Sequence, residues 1–210
     1  MQKNIKTLTN QECALLLNQL FAMGSPEEHT PRRIRNYTIA LLMLDAGLRV
    51  GEVCALQIRD LVYNGEPVLA VTIRAEISKT KAERTIPLSA RLQDAIRRMV
   101  SKLPNGGVLP GQRPMFYRGV LFCDNSEGEN INYAPLTTRQ VQRIIADASF
   151  TAFGRRIHPH CLRHTFGTKL MRTVNASVVQ ALLGHKRLSS TQVYCHPDAE
   201  DLKNAIDGIA

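Results

Sequence analysis

The sequence predicts a mixed α/β fold, mainly α-helical, with one small antiparallel β-sheet. Three observations predict it: capped apolar runs of helical period fill the first part of the chain, one pair of β-branched segments flanks a polar turn, and everything after Thr137 reads helical. With 210 residues the chain can bury one sizeable core or two small ones. At 44% apolar and 21% charged it has the composition of an ordinary globular protein. Its longest apolar runs, such as Ile39 to Leu44, are far too short to cross a bilayer, and no apolar leader follows Met1. The protein is therefore expected in the cytoplasm.

The elements follow in order. Thr9-Asn10-Gln11-Glu12 is a capping box before Ala14, Leu15, Leu16 and Leu20, and predicts a helix from about Asn10 to Ala22. Gly24-Ser25-Pro26 breaks it. Thr30 then caps a second helix with Pro31 in its first position, apolar through Ile39, Leu41, Leu42 and Leu44 and stopped by Gly47. Val68 to Ile73 alternates as a strand should, and Arg84 to Leu88 reads as the returning strand, with Pro87 marking an edge or a strand end. Between them Ser78-Lys79-Thr80-Lys81-Ala82-Glu83 is a polar turn. A helix from about Ala90 to Leu103 comes next. The stretch from Pro104 to Tyr133 is rich in Gly, Pro and Asn and reads as irregular, with a short strand at Leu121-Phe122-Cys123. Helices are then expected over Arg139 to Ser149, Pro159 to Arg172 and Ala176 to Leu183, with a short one near Ser190 to Tyr194. A tail from Pro197 to Ile209 places Leu202, Ile206 and Ile209 on one face.

Five scattered cysteines without a C-x-x-C pair argue against a disulfide framework and a cysteine-based zinc site. Cys195, beside Tyr194, reads as an incidental reduced thiol. The formal net charge of +9 points to a polyanionic partner, nucleic acid first. With 5% aromatics and no Trp, stacking on single strands is disfavoured and contacts to a duplex backbone fit better.

The chemistry concentrates in the C-terminal half. His158-Pro159-His160-Cys161-Leu162-Arg163-His164 puts His160 and Arg163 three apart, on one helical face. Leu182-Leu183-Gly184-His185 follows, where Gly184 permits a left-handed turn that aims His185 back toward that face. Thr191-Gln192-Val193-Tyr194 comes last. Upstream, Ala46-Gly47-Leu48-Arg49-Val50-Gly51-Glu52 places an arginine directly after a helix stop, where it can point into a site.

These strings resemble the tyrosine recombinase (integrase) family, from about Leu8 to the C-terminus. Arg49 is similar to the family's first catalytic arginine within a G-[LF]-R-x-x-E pattern, and His160 and Arg163 to its H-x-x-R pair. His185 resembles the L-G-H residue, Tyr194 the nucleophile, and Lys79 the lysine on the β2–β3 turn of the family. The resemblance implies that family's catalytic-domain fold and a site-specific recombinase that works through a 3′-phosphotyrosyl intermediate and a Holliday junction, as a homo-tetramer on two double-stranded DNA sites. Family members usually carry a further N-terminal helical domain. The expectation here is a single catalytic domain over residues 1–210 with that core-binding domain absent, either as a fragment or as a naturally short member like the recombinases that invert the fimbrial promoter switch.

The residue types suit the chemistry. An attacked phosphodiester gains negative charge, and Arg49 and Arg163 can grip its non-bridging oxygens while staying charged. His185 would donate a further hydrogen bond. A phenol with an ordinary pKa of roughly 10 is a poor nucleophile until a neighbour takes its proton, and His160 is the candidate. Lys79 suits the acid that protonates the leaving oxygen, with Lys81 as the alternative on the same turn. Glu52 is expected to orient an arginine or cap the local backbone. No metal or other cofactor is called for.

His158 reads as packing or a DNA backbone contact, and His164 as helix packing. The phosphate-contact candidates are Lys81, Arg84, Arg139, Arg143, Arg155, Arg156 and Lys186, within a wider basic pool that includes Arg32, Arg33, Arg35 and Lys169. Two rival readings share the fold or the chemistry: a DNA-binding regulator without strand transfer, which should have lost Tyr194 or an arginine, and a type IB topoisomerase-like enzyme, disfavoured by the compact L-G-H to Tyr spacing.

Overall fold

A computed structural model of the chain describes residues 7–22, 31–101, 115–116 and 135–185. Helix α1 (Asn10–Ala22) opens with the expected capping box: the Thr9 amide donates to Glu12 Oε2 at 2.9 Å and the Glu12 amide to Thr9 Oγ1 at 3.1 Å. Helix α2 (Pro31–Leu44) is the centre of the molecule. Ile39, Ala40, Leu41, Leu42 and Met43 are all fully buried, because α1, α5 and α7 pack around it. Its cap candidate Thr30 lies outside the described residues. Gly47, in the left-handed region at φ 62°, turns the chain out of α2.

Two short helices follow, α3 (Val50–Ala55) and α4 (Ile58–Leu61). Then come two separate two-stranded antiparallel sheets where one was expected. Strands β1 (Val62–Tyr63) and β2 (Glu66–Pro67) form a tight hairpin on Asn64 and Gly65, whose φ angles of 50° and 81° are those of a type I′ turn. Strands β3 (Ala70–Ile73) and β4 (Arg84–Pro87) are the expected pair, in the register Ala70↔Pro87, Val71↔Ile86, Thr72↔Thr85 and Ile73↔Arg84. Val71, Ile73, Ile86 and Arg84 point inward, while Thr72 and Thr85 bond through their hydroxyls on the other face at 3.0 Å. Pro87 closes the ladder, where a missing N–H costs least.

Helix α5 (Ala90–Val100) is capped by Ser89, whose Oγ accepts from the Leu92 amide at 3.3 Å. It ends three residues short of Leu103, which lies outside the described residues, as do Leu121 to Cys123 and everything from Lys186 onward. Helix α6 (Thr138–Phe153) runs four residues past Ser149, to the left-handed Gly154. Helix α7 (Pro159–Met171) starts on a proline in its first turn. Helix α8 (Ala176–Leu183) is capped by Asn175, which accepts from the Val178 amide at 3.1 Å, and stops at Gly184 with φ 61°. Among the described residues no helix is long and apolar enough to cross a membrane.

Candidate active site

Arg163 is the largest fully buried side chain in the described protein, 2% exposed on α7. A guanidinium cannot be left there without acceptors. The fold supplies backbone carbonyls from two other elements: Nη1 donates to Gly47 O, and Nη2 donates to Leu183 O at 2.6 Å and lies 3.3 Å from His185 Nε2. One side chain thus fixes the exit of α2 and the end of α8 against α7. Gly47 is needed for this approach, since a Cβ at that position would stand 2.3 Å from Phe166 Cδ1.

Arg49 is the N-cap of α3, as its place after a helix stop suggested. Its Nη1 donates to Glu52 Oε1 at 2.9 Å, and its backbone N–H donates to Glu52 Oε2 at 2.8 Å. Glu52 thus does both things expected of it, orienting an arginine and capping the backbone. The same carboxylate also receives Arg84, through Nη1 to Oε1 at 3.0 Å and Nη2 to Oε2 at 2.7 Å. Burial alone would raise the Glu52 pKa. The hydrogen bonds and charges of Arg84 and Arg49 outweigh it and hold the carboxyl below its ordinary value.

This arrangement corrects one expectation. Arg84 is not an outward cation waiting for DNA: its side chain is 6% exposed, and its Nε donates to Leu182 O at 3.0 Å. It is an internal brace. Arg155 is paired with Glu12 at 2.6 Å and Arg156 with Asp147 at 2.7 Å, the latter pair exposed. Arg139 and Arg143 are exposed on α6, and Lys81 is exposed beside the β3–β4 turn. Arg35, from the wider basic pool, is buried at 4% exposure.

Three histidines line the same place. His185 follows the left-handed Gly184 and is locked by two bonds with Gln180: its amide donates to Gln180 O at 3.1 Å, and Gln180 Nε2 donates to His185 O at 3.0 Å. Burial, then the charges of Arg163, Arg49, Arg84 and His164, push its pKa down to about 4. His160 is lowered by burial and by the charges of Arg163, Arg49 and Lys79. Both rings therefore favour the neutral form in the free protein, able to donate or to accept a proton. His164, read from sequence as packing, is buried and does more: its Nε2 lies 2.8 Å from Nε2 of His160, edge to face across one helical turn. Burial first, then the charges of His160 and Arg163, bring its pKa to about 4. The i, i+4 spacing of the two rings was the available signal. His158, as the N-cap of α7, is exposed and makes no side-chain cap.

Lys79 sits on the β3–β4 turn, exposed, and near enough for its charge to act on His160. The turn closes through the Lys81 amide to Ser78 O at 3.1 Å, with Ser78 Oγ 3.0 Å from Thr80 Oγ1. Arg49, His160, Arg163 and His185 therefore converge, with Lys79 at the rim. Tyr194 and Lys186 lie outside the described residues. Among the described cysteines, Cys13, Cys54 and Cys161 are free, and burial pushes the Cys54 thiol up to about 11. No cluster of His, Cys, Asp and Glu suited to a metal occurs among the described residues.

The sequence profile of the phage integrase family matches residues 6–201. The chain belongs to the phage integrase family. Among its relatives are a tyrosine recombinase of Pseudothermotoga lettingae, 32% identical over 183 residues covering 87% of this chain, and the tyrosine recombinase XerC of Listeria innocua, 35% identical over 185 residues covering 85% of it. The matches cover 56% and 55% of those proteins, so the chain spans just over half the length of the relatives it matches. Solved structures share the fold. XerA recombinase superposes with a TM-score of 0.64 at 22% identity, over 99% of this chain and 65% of that one. The XerH site-specific recombinase in a post-cleavage complex with its difH substrate gives 0.64 at 23% identity, over 97% of this chain and 53% of that one. The mainly helical architecture with small antiparallel sheets is thus the catalytic-domain fold of the tyrosine recombinases, as the integrase-like motifs implied.

Proposed function

We propose that this phage integrase family member is a site-specific tyrosine recombinase that breaks and rejoins double-stranded DNA without a metal or other cofactor. The observation that carries the reading is the convergence of two guanidiniums, from Arg49 and Arg163, with the neutral rings of His160 and His185. Such a cluster suits one phosphate. The arginines bind its non-bridging oxygens and strengthen their hold as negative charge builds in the transition state. His185 donates an N–H to the same group.

In the proposed cleavage, the Tyr194 oxygen attacks phosphorus as its proton passes to His160. The bond from phosphorus to the 5′ oxygen breaks, and Lys79 gives that oxygen its proton. A 3′-phosphotyrosyl bond and a free 5′ hydroxyl result. Religation runs the same transfers backward and needs no ATP, because the phosphotyrosyl bond retains the energy of the diester. Exchange between two sites then calls for four protomers and a Holliday junction, in the cytoplasm where DNA is at hand. Arg139, Arg143, Lys81 and Lys186 are proposed to hold the flanking backbone.

The test is covalent trapping on a nicked suicide duplex, whose broken strand diffuses away after cleavage. The unaltered protein should form a protein–DNA adduct stable to denaturation, and Tyr194→Phe should bind DNA without forming it. DNA binding without trapping by the unaltered protein would place the chain with non-catalytic regulators. Trapping by Tyr194→Phe would remove Tyr194 as the nucleophile.

A further inference from the structure

Glu52 is 1% exposed and sits between two arginines from distant parts of the chain. Its four acceptor positions are all taken: Oε1 by Nη1 of Arg49 and Nη1 of Arg84, Oε2 by the Arg49 amide and Nη2 of Arg84. Arg84 spends its third edge, Nε, on Leu182 O, three residues before His185. Gly184 lies flat on the same side chain, where a Cβ would come within 2.9 Å of Arg84 Cδ. Arg84 itself is the first residue of β4, on the hairpin whose turn carries Lys79.

We propose that Arg84 is a positioning residue that neutralises Glu52 so that Arg49 keeps its charge for the phosphate, and that seats the His185 turn on the hairpin bearing Lys79. The inference rests on the strand-transfer reading above. Glu52, Arg49 and Arg84 together carry one net positive charge; without Arg84 they carry none. A buried carboxylate short of two donors would draw a second N–H from Arg49, closing a bidentate fork and turning that guanidinium away from the site. With Arg84 in place the Arg49 side chain gives Glu52 a single bond. Lysine could restore the charge but not the geometry, because a point ammonium cannot span a carboxylate and a carbonyl with one flat fork.

The position also explains why Arg84 reads wrongly in sequence. An arginine beside a basic turn looks like a phosphate contact. Its carboxylate lies thirty-two residues upstream and its carbonyl ninety-eight downstream, on elements no local pattern connects.

Two measurements test this on the full chain. The first needs no cognate DNA: inorganic phosphate is titrated while the imidazole resonances of His160 and His185 are followed by NMR. The second is the single-turnover trapping rate on a duplex site selected by the unaltered protein from a random-sequence pool. Arg84→Met should weaken phosphate binding and slow trapping by at least about tenfold, the scale of one unit charge lost at this range in a medium of intermediate dielectric. Glu52→Gln combined with Arg84→Met restores the charge balance and should recover most of the phosphate affinity. Should Arg84→Met fail to fold, Arg84→Lys serves: it should hold phosphate within a few-fold of the unaltered protein yet trap DNA more slowly. The inference is overturned if Arg84→Met, or in its place Arg84→Lys, matches the unaltered protein in both measurements. It is also overturned if the double variant stays as defective as Arg84→Met, which is the behaviour of a direct DNA contact. Phosphate results as expected with no trapping by the unaltered protein would sink strand transfer and leave the role of Arg84 standing.

Discussion

Arg163 and Lys79 both bring positive charge to bear on His160, but the chain holds them in opposite ways. Arg163 is enclosed by α7, the α2 exit and the end of α8, its donors bound to the Gly47 and Leu183 carbonyls. Lys79 projects from a turn of two strands, exposed, with hydrogen bonds only in the backbone and hydroxyls around it. The contrast follows from what each is proposed to do. A group that stabilises developing charge works best if it needs no reorganisation when the charge arrives. A group that delivers a proton to a departing oxygen must reach it, and a flexible stem on an open turn allows that.

The largest effect should come from the enclosed side. Arg163→Lys removes the fork from two buried carbonyls, so the trapping rate should fall by about 10²–10³. Unfolding by urea should show a loss of about 1–3 kcal/mol as those carbonyls lose their partner. A lysine variant of unchanged stability would mean that the cradle is not rigid. Lys79→Ala should slow trapping by about 10² while leaving the thermal midpoint in place. That defect should vanish when sulfur replaces the 5′ leaving oxygen, because a thiolate departs without an acid; equal defects on both substrates would remove Lys79 from the role.

The enclosed side also predicts a pH effect on folding. His164 and His185 fall from an ordinary 6.5 to about 4 in the folded protein, so the unfolded chain takes up protons first as pH drops. Stability should decline from about pH 6.5 down to about pH 4 as these imidazoles charge, and further below that as the carboxyls of Glu52 and Glu12, both held below their ordinary value, take up protons. His164→Phe should make that slope shallower in urea unfolding followed across the window; an unchanged slope would mean that His164 does not titrate there. The smallest effect belongs to Lys81, which holds a left-handed φ of 55° on the exposed side. Lys81→Gly suits that backbone and should shift stability by no more than about 0.5 kcal/mol. If it abolishes trapping while Lys79→Ala does not, the acid is Lys81.

The same division marks what the amino-acid pattern reveals. Elements with a local signal are legible: the Thr9–Glu12 box starts α1, Gly47 and Gly184 end α2 and α8, and Pro159 opens α7. So is the role of Glu52, because it lies one helical turn from Arg49. The short helices α3 and α4 escape, since six and four residues are too few to show a period. The β1–β2 hairpin had a usable sign in Asn64-Gly65, the residue pair that a type I′ turn favours. Helix α6 outran its expected end because Ser149 does not break a helix and Gly154 does. Arg84 was misjudged, and the contact of the packed His164 with His160 was missed, for a different reason. Each acquires its role from a partner, and an arginine that braces a carboxylate has the same spelling as one that meets solvent.

The Leu8 amide donates to Thr165 Oγ1 across 157 residues of sequence, and Glu12 pairs with Arg155 nearby. Translation makes α1 long before it makes α6 and α7, so α1 waits through the intervening synthesis for that part of its cover. Arg49 leaves the ribosome on the same early side of that interval, and His160, Arg163 and His185 on the late side. A half-made polypeptide thus carries Arg49 without the histidines and the arginine that close around it in the finished fold.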